Sequence, residues 1–320
     1  MQQWNGRRKH ARFRRFPHSS RFSRFPRLRW IALIIVSAIL VIFGVVKLIG
    51  YSKDYTASMQ TSEALRQVAE ASPTSQPSAA PTPELSTAPQ ATSAPTATPA
   101  AAVTLAEMQY PRLEISPRFK ALRKQNKDIV GWLTLSDLLD EAVVQRDEDY
   151  YMNHDALGKK NVNGAIFLDS AIDLKCRPYT LLLYGHNMKT GAMFGCLRNY
   201  ENINLYHREP FITFDTLYED GRYVIFAVGT VSTEPRLRNY VDFFGLQSMS
   251  IQERQATINS LLKASVFSGG VDVLPDDQLL LLVTCVDADE ERRVVAARRV
   301  RDGETEAELK KLVERSWKKP

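Results

Sequence analysis

An apolar run near the N-terminus constrains this chain more than any other feature of its sequence. Residues 30–50 read WIALIIVSAILVIFGVVKLIG, and their single charged residue, Lys47, stands near the end. About 20 apolar residues in a helix span roughly 30 Å, the thickness of the hydrocarbon core of a bilayer. The run therefore predicts one transmembrane helix. A cleaved signal peptide is the alternative, but the basic region is too long for one and no A-x-A-like cleavage site follows.

The charges on either side of this run predict its orientation. Residues 1–30 contain ten Lys or Arg and no acidic residue, and since the whole chain carries +6, the rest is net acidic. The positive-inside rule predicts a single-pass cell-membrane protein with a cytoplasmic N-terminus and everything after the span outside. The tail also interleaves Arg with Phe, which can indicate contact with nucleic acid or anionic lipid. A topology signal lying on acidic lipid is the simpler interpretation, and no nucleic-acid partner is expected.

Composition divides the rest of the chain. A short juxtamembrane helix is expected first, and the stretch from Ser72 to Ala102 then contains seven of the sixteen prolines. Such a segment predicts a linker that extends roughly 3 Å per residue where it is stiff. The composition after it is globular and the length suffices for one sizeable core. The expected organisation is a basic cytoplasmic tail (1–29), a transmembrane helix (30–50), a juxtamembrane segment with a Pro/Ala/Thr/Ser-rich linker (51–103) and a catalytic domain (104–320).

The globular part is rich in strand-like runs. They are DIVGWLTL, EAVVQ, GAIFLD, YTLLLYG, FITFDTLY, GRYVIFAVGTVS, QLLLLVTC and RRVVAARRV. Seven or eight strands with few long helices predict a closed β-barrel or a sandwich. Apolar residues follow helical spacing in two other places, SPRFKALRKQN before the first strand and the stretch from Ser248 to Phe267. The second of these predicts a helix inserted before the last two strands.

One histidine and one cysteine stand at the ends of predicted strands. His186 follows YTLLLYG directly, where a rigid scaffold meets the surface, and Cys285 ends QLLLLVTC. Outside a cell, a thiol that matters is usually in a disulfide or acts as a nucleophile. With three cysteines at most one bridge can form, and a bridge between Cys176 and Cys196 would leave Cys285 as the odd thiol. No His/Cys cluster has the spacing of a zinc site, and neither a metal nor a cofactor is expected.

The same two residues, with an arginine, match the needs of a cysteine nucleophile. Such a nucleophile requires an acid/base partner, which His186 can supply, and a donor for the oxyanion of the tetrahedral intermediate. Arg292 or Arg293 opens the strand after Cys285, and a guanidinium suits charge stabilisation because it does not titrate. Spacing alone allows equally that all of these residues are incidental.

Longer blocks of the sequence resemble class B sortases, the membrane-anchored cysteine transpeptidases of Gram-positive-type bacteria. The blocks are KQNKDIVGWLTL, EAVVQRDEDYYMNHDALGKKNVNGAIFLD, LLLYGHNMKTGAMFGCLRNY and LLLLVTCVDADEERRVVAARR. The most specific are YGHNM followed by G-x-MF, and V-T-C after an apolar strand. The resemblance implies a mainly β fold, a sortase-like closed barrel of seven to eight strands. It also implies an N-terminal helical segment, a helix before the Cys-bearing strand and a single transmembrane helix in front of the domain.

The resemblance also implies residue roles. Cys285 would be the nucleophile, His186 its acid/base partner and one arginine the oxyanion stabiliser. The family pattern R-x-V-V-A-A-R fits Arg292, with Arg293 as the alternative, and only one of two adjacent strand residues can face the thiol. Neighbouring residues are expected to contact the substrate: Thr284, Tyr184 and Asn187.

The function implied is transfer of secreted proteins to the cell wall. The enzyme would cleave a C-terminal sorting pentapeptide through a thioacyl-enzyme and pass the product to an amine of a peptidoglycan precursor or cross-bridge. Glu148 stands where the family usually has Asn, so the specificity of the groove stays open. Two alternatives remain: a cysteine L,D-transpeptidase-like enzyme, whose His and Cys normally lie much closer in sequence, and a non-catalytic membrane-tethered binding or structural domain.

Overall fold

The computed structural model covers both the apolar run and the globular part. It describes residues 26–71, 113–147, 150–237, 239–243, 245–285 and 291–320, without the side chains of 26–29, 32 and 285. Most of the basic tail and the predicted Pro-rich linker therefore lie outside the described residues. The chain divides into two compact units, Met1–Tyr51 and Ser52–Pro320.

A single long helix, α1, runs from Pro26 to Glu70 and so begins in the first unit and ends in the second. From Leu33 onward it is long and apolar enough to cross a membrane, with a mean hydropathy of 2.8 in its most apolar window. The large apolar side chains of this window are exposed in the protein itself, for example Leu40 at 64%. A helix that is apolar on all sides finds suitable surroundings in lipid. This helix can therefore serve as the membrane anchor.

Eight strands of the second unit form a closed barrel, which confirms the predicted fold class. They are β1 (Ile129–Leu135), β2 (Leu139–Val144), β3 (Ile166–Leu168), β4 (Thr180–Tyr184), β5 (Phe211–Thr216), β6 (Arg222–Ser232), β8 (Leu279–Cys285) and β9 (Glu291–Arg299). The strands are ordered β1-β2-β3-β4-β8-β9-β6-β5 around the barrel. The pairs β2–β3 and β4–β8 are parallel, and the other pairs are antiparallel. A separate two-stranded ribbon pairs β7 (Phe267–Ser268) with β10 (Trp317–Lys318).

Strand β8 is buried on both faces. Its residues from Leu279 to Thr284 are at most 2% exposed, and it lies between β4 and β9 in the barrel. A 3-10 helix, Phe194–Glu201, packs beside β8 and β9 and buries Phe194 and Leu197. This explains why the sequence of β8 is a continuous apolar run rather than an alternating one.

The helices begin where local sequence caps them. Helix α2 (Pro117–Gln125) starts after Ser116, whose side chain accepts a hydrogen bond from the Phe119 amide, and proline suits the first helical position. Helix α3 is Ile203–Arg208, and α4 (Ile251–Ala264) and α5 (Glu306–Val313) each begin with a capping box. Helices α2 and α4 confirm the predicted N-terminal helical segment and the helix inserted before the Cys-bearing strand.

The C-terminal part of α1 packs against the barrel. Leu65 and Ala69 are 2% and 5% exposed within the hydrophobic core. The Thr61 hydroxyl donates a 2.9 Å hydrogen bond to the Asp155 carboxylate, which lies in the segment between β2 and β3. The residues of α1 from Ser52 onward thus belong to the same compact unit as the barrel.

Candidate active site

The parallel pairing of β4 and β8 brings two distant parts of the chain to one edge of the barrel. In this register Tyr184 pairs with Val283. His186 and Cys285 each come two residues after one member of that pair, and neighbouring strands lie about 4.8 Å apart. His186 and Cys285 therefore both follow the same end of this strand pair.

The antiparallel pairing of β8 and β9 distinguishes the two arginines. Cys285 pairs with Arg292, and Thr284 pairs with Arg293. Residues directly opposite each other in an antiparallel pair direct their side chains to the same face. Arg292 consequently shares a face with Cys285, and Arg293 lies on the other face.

The hydrogen bonds of these arginines differ as well. Arg293 Nε donates a 2.8 Å hydrogen bond to a carboxylate oxygen of Glu201, and the Arg293 side chain is 14% exposed. This ion pair ties β9 to the 3-10 helix that ends at Glu201. Arg292 Nη1 donates to the carbonyl of Glu291 at 3.0 Å. Arg293 therefore has a structural partner away from the Cys285 face. Arg292 lies on the Cys285 face, at the last residue pair of β8 and β9.

The imidazole of His186 is held by a backbone carbonyl. Its Nε2 atom lies 2.6 Å from the carbonyl oxygen of Met152. A carbonyl can only accept a hydrogen bond, so Nε2 must carry the hydrogen. In the neutral ring this leaves Nδ1 as the acceptor, which is the tautomer that can take a proton at Nδ1.

The three residues expected to contact substrate lie around this edge in different settings. The Tyr184 hydroxyl donates to a carboxylate oxygen of Asp169 at 3.2 Å. The side-chain oxygen of Asn187 and the hydroxyl of Thr284 are buried without a hydrogen-bond partner among the described residues. Thr284 directs its side chain to the face opposite that of Cys285. Their contact with a substrate stays a prediction.

The sequence did not predict two contacts near His186. Met152 binds the imidazole through its carbonyl, so its side-chain type carries no signal. Arg198 donates to the carbonyls of Gly195 and Met188 at 2.7 and 2.6 Å and so closes the loop that follows His186. An arginine in a short helix gives no signal in the sequence, because this contact depends on the fold of the loop.

The other two cysteines are not bridged. Cys176 is exposed and Cys196 is buried, and both are free thiols. Burial raises the pKa of Cys196 to about 12, so this thiol stays protonated and unreactive at neutral pH. The Cys176–Cys196 bridge left open by the sequence does not form in this structure.

Comparison with known proteins finds the same relatives by sequence and by fold. No protein-family model matches the chain. The chain is 31% identical over 192 residues to sortase B of Staphylococcus aureus, covering 58% of this chain and 75% of that protein. It is 30% identical over 176 residues to sortase B of Listeria monocytogenes, covering 54% and 68% respectively. The crystal structure of sortase B from Bacillus anthracis has a TM-score of 0.59 at 26% identity, covering 77% of this chain and 97% of that one.

Proposed function

This chain belongs to the sortase B family and is a sortase-type cysteine transpeptidase, and we propose that it cleaves a C-terminal sorting signal of secreted proteins and joins them to a peptidoglycan amine. The observation that supports this most is the strand register. It pairs Cys285 with Arg292, and the pairing of β4 with β8 ends two residues before His186 and Cys285. A nucleophile, a proton carrier and an oxyanion donor are the groups that acyl transfer requires.

In the proposed first step the sulfur of Cys285 attacks the carbonyl carbon of the sorting-signal threonine. His186 takes the thiol proton at Nδ1, and Arg292 donates hydrogen bonds to the developing oxyanion. As the intermediate collapses, the C–N bond breaks and His186 passes the proton to the leaving amine. The product is a thioacyl-enzyme.

In the second step an amine of a peptidoglycan precursor or cross-bridge attacks the thioester. His186 accepts the proton of this amine, the C–S bond breaks, and the departing sulfur of Cys285 takes that proton from His186 to restore the thiol. A new amide joins the secreted protein to the wall. Splitting the transfer in two lets one site handle two large substrates in turn.

The membrane anchor fits this reaction. We propose that α1 spans the membrane with the basic N-terminus in the cytoplasm and the catalytic domain outside, as the charge asymmetry predicts. Secreted proteins and lipid-linked wall precursors both emerge at that membrane face. Tethering the enzyme there raises the effective concentration of each substrate at the site.

The test uses the full chain in detergent with a panel of fluorescent sorting-signal peptides and a short peptide amine. Cys285→Ala is expected to abolish transfer, a loss of at least about 10⁴-fold, and Cys176→Ala, which changes an exposed free thiol, is expected to keep full activity. Mass spectrometry of the wild type should find the peptide acyl group on Cys285. Full transfer by Cys285→Ala would refute the proposal.

A further inference from the structure

The contact between the Met152 carbonyl and His186 is part of a larger arrangement. Met152 ends a 3-10 helix, Tyr150–Met152, and carbonyls at the end of a helix have no partner within it. One of these carbonyls, that of Met152, accepts a 2.6 Å hydrogen bond from the imidazole Nε2 of His186. The position of this short helix therefore decides where the ring lies.

The short helix is anchored at its centre by Tyr151, which is 1% exposed. The Tyr151 hydroxyl donates to a carboxylate oxygen of Asp128 at 3.0 Å and accepts from the side-chain amide of Asn126 at 2.7 Å. Its carbonyl accepts a 3.0 Å hydrogen bond from the amide of Ala165. A residue held by side chain and main chain together leaves the next carbonyl, that of Met152, little freedom.

Gly164 closes the arrangement from the other side. Its φ is +61°, and a Cβ there would lie 2.6 Å from the Tyr151 carbonyl oxygen, 3.0 Å from that of Met152 and 3.1 Å from His186 Cδ2. Real Cβ atoms almost never approach a heavy atom closer than 3.0 Å. Any side chain at this position would push the carbonyl or the ring away.

We propose that Gly164 is a positioning residue for the transfer reaction: its missing side chain lets the Met152 carbonyl hold His186 as the Nε2–H tautomer with Nδ1 available to the thiol. This inference rests on the proposed role of His186 as acid/base. Orientation of a catalytic group is a large part of enzymatic rate, and a displacement near 1 Å costs about 100-fold. Gly164 is not among the residues expected to contact the substrate.

The first measurement is spectroscopic and does not depend on activity. Full-length protein in detergent is labelled with ¹⁵N-histidine, and the ring nitrogens of His186 are assigned by their loss in His186→Gln. The wild type should show the Nε2–H tautomer, and Gly164→Ala should show a mixture. The matched control is Gly303→Ala, because Gly303 also has a positive φ, +87°, but no heavy atom lies within 4 Å of its Cβ position. This control also places an alanine at a positive φ, and it should keep the wild-type tautomer.

The second measurement is kinetic. Gly164→Ala should lower kcat of transfer by about 10- to 100-fold and change KM by less than about twofold, since ground-state binding is unchanged. Gly303→Ala should match the wild type in both constants. Should Gly164→Ala fail to fold, Tyr151→Phe removes both side-chain hydrogen bonds of the anchor, keeps its ring and should change tautomer and kcat in the same direction by less.

The proposal is overturned if the folded variants keep the wild-type tautomer, or if the tautomer changes while kcat does not. Its failure is distinct from failure of the proposed function. If His186→Gln retains transfer, the acid/base role is wrong even where the tautomer responds to Gly164→Ala as expected.

Discussion

Arg292 and Arg298 lie on the same strand, β9, and on the same face of it, but their surroundings are opposite. Arg292 pairs with Cys285 at the end of the β8–β9 pair where the chain passes from one strand to the next, and Arg298 pairs with Leu279 at the other end. Arg298 is 0% exposed. Its five N–H groups are bound by the Glu304 carboxylate, by the side chain and carbonyl of Asp272, and by the carbonyl of Arg299.

The comparison shows what makes Arg298 a structural arginine. A guanidinium has five N–H donors, and at Arg298 the protein uses all of them. The hydrogen bond from Arg298 lowers the pKa of Glu304, so this carboxylate stays charged. Such an arginine stabilises the fold and has no N–H donor left for an oxyanion.

The largest effect is expected from removing the structural arginine. Arg298→Met removes the buried cation and leaves the Glu304 and Asp272 carboxylates with the more exposed Arg301 alone. The free energy of unfolding should fall by about 3 kcal/mol or more. Urea denaturation measures this loss. The control Arg222→Met breaks a pair whose arginine side chain is 41% exposed, and its loss should stay below about 1 kcal/mol. Equal losses in the two variants would show that the buried ion pairs of Arg298 contribute no more stability than the exposed pair of Arg222.

The next largest effect is expected from removing Arg292, the arginine paired with Cys285. Arg292→Ala should lower kcat of transfer by about 10²- to 10³-fold, the usual loss for an oxyanion donor, and change the free energy of unfolding by less than about 0.5 kcal/mol. Arg293→Ala is the matched control, because it removes the neighbouring guanidinium and its ion pair with Glu201. It should cost about 1 kcal/mol of stability or less and leave most of the activity. A larger loss of activity in Arg293→Ala would reverse the assignment drawn from the register.

The carboxyl of Glu141, which is partly buried, extends the comparison to a group whose pKa is raised rather than lowered. Glu141 lies on β2 beneath α1, and burial raises its pKa to about 7. The Ser62 hydroxyl lies 2.6–2.7 Å from both carboxyl oxygens of Glu141 and 3.0 Å from the Ser58 carbonyl. A hydroxyl has one hydrogen, so a protonated Glu141 can donate to Ser62 while Ser62 donates to Ser58. Glu141 is therefore neutral below about pH 7.

This shift predicts a stability that depends on pH. The unfolded chain releases the Glu141 proton near 4.5 and the folded chain near 7, so the fold binds the extra proton between these values. Stability from this group is therefore full below about pH 4.5 and is lost as the pH rises through 7, on the order of 3 kcal/mol. Glu141→Gln should remove this part of the dependence. Urea denaturation at pH 5 and pH 8 compares the two proteins, and an unchanged difference in Glu141→Gln would contradict the assignment.

Much of the fold follows from patterns within single segments. The apolar run of residues 30–50 predicts a membrane helix, the β-branched and leucine-rich runs predict the strands, and Ser250 and Glu253 begin a helix by local capping. His186 and Cys285 stand out because each ends a strand-like run. These signals are readable because each depends on neighbours a few residues away.

Other features depend on how segments meet. The sequence offers Arg292 and Arg293 side by side, and only the pairing of β8 with β9 assigns one of them to the face of Cys285. The same strand carries Arg298 near its other end, and the burial of Arg298 depends on carboxylates from the segment before β8 and the turn before α5. The carbonyl that binds His186 belongs to a residue whose side chain carries no signal.

The sequence by itself thus determined the class of fold, the long apolar helix and the residue types that could perform acyl transfer, because hydrophobic periodicity and strand ends are local properties. The tertiary structure alone decided which arginine shares the cysteine's face, which nitrogen of His186 carries the hydrogen, and that residues of α1 after the apolar run pack on the barrel. Each of these depends on strand register or on a backbone contact between segments far apart in the chain. A one-residue change in register would reverse the faces of a whole strand without altering any local pattern.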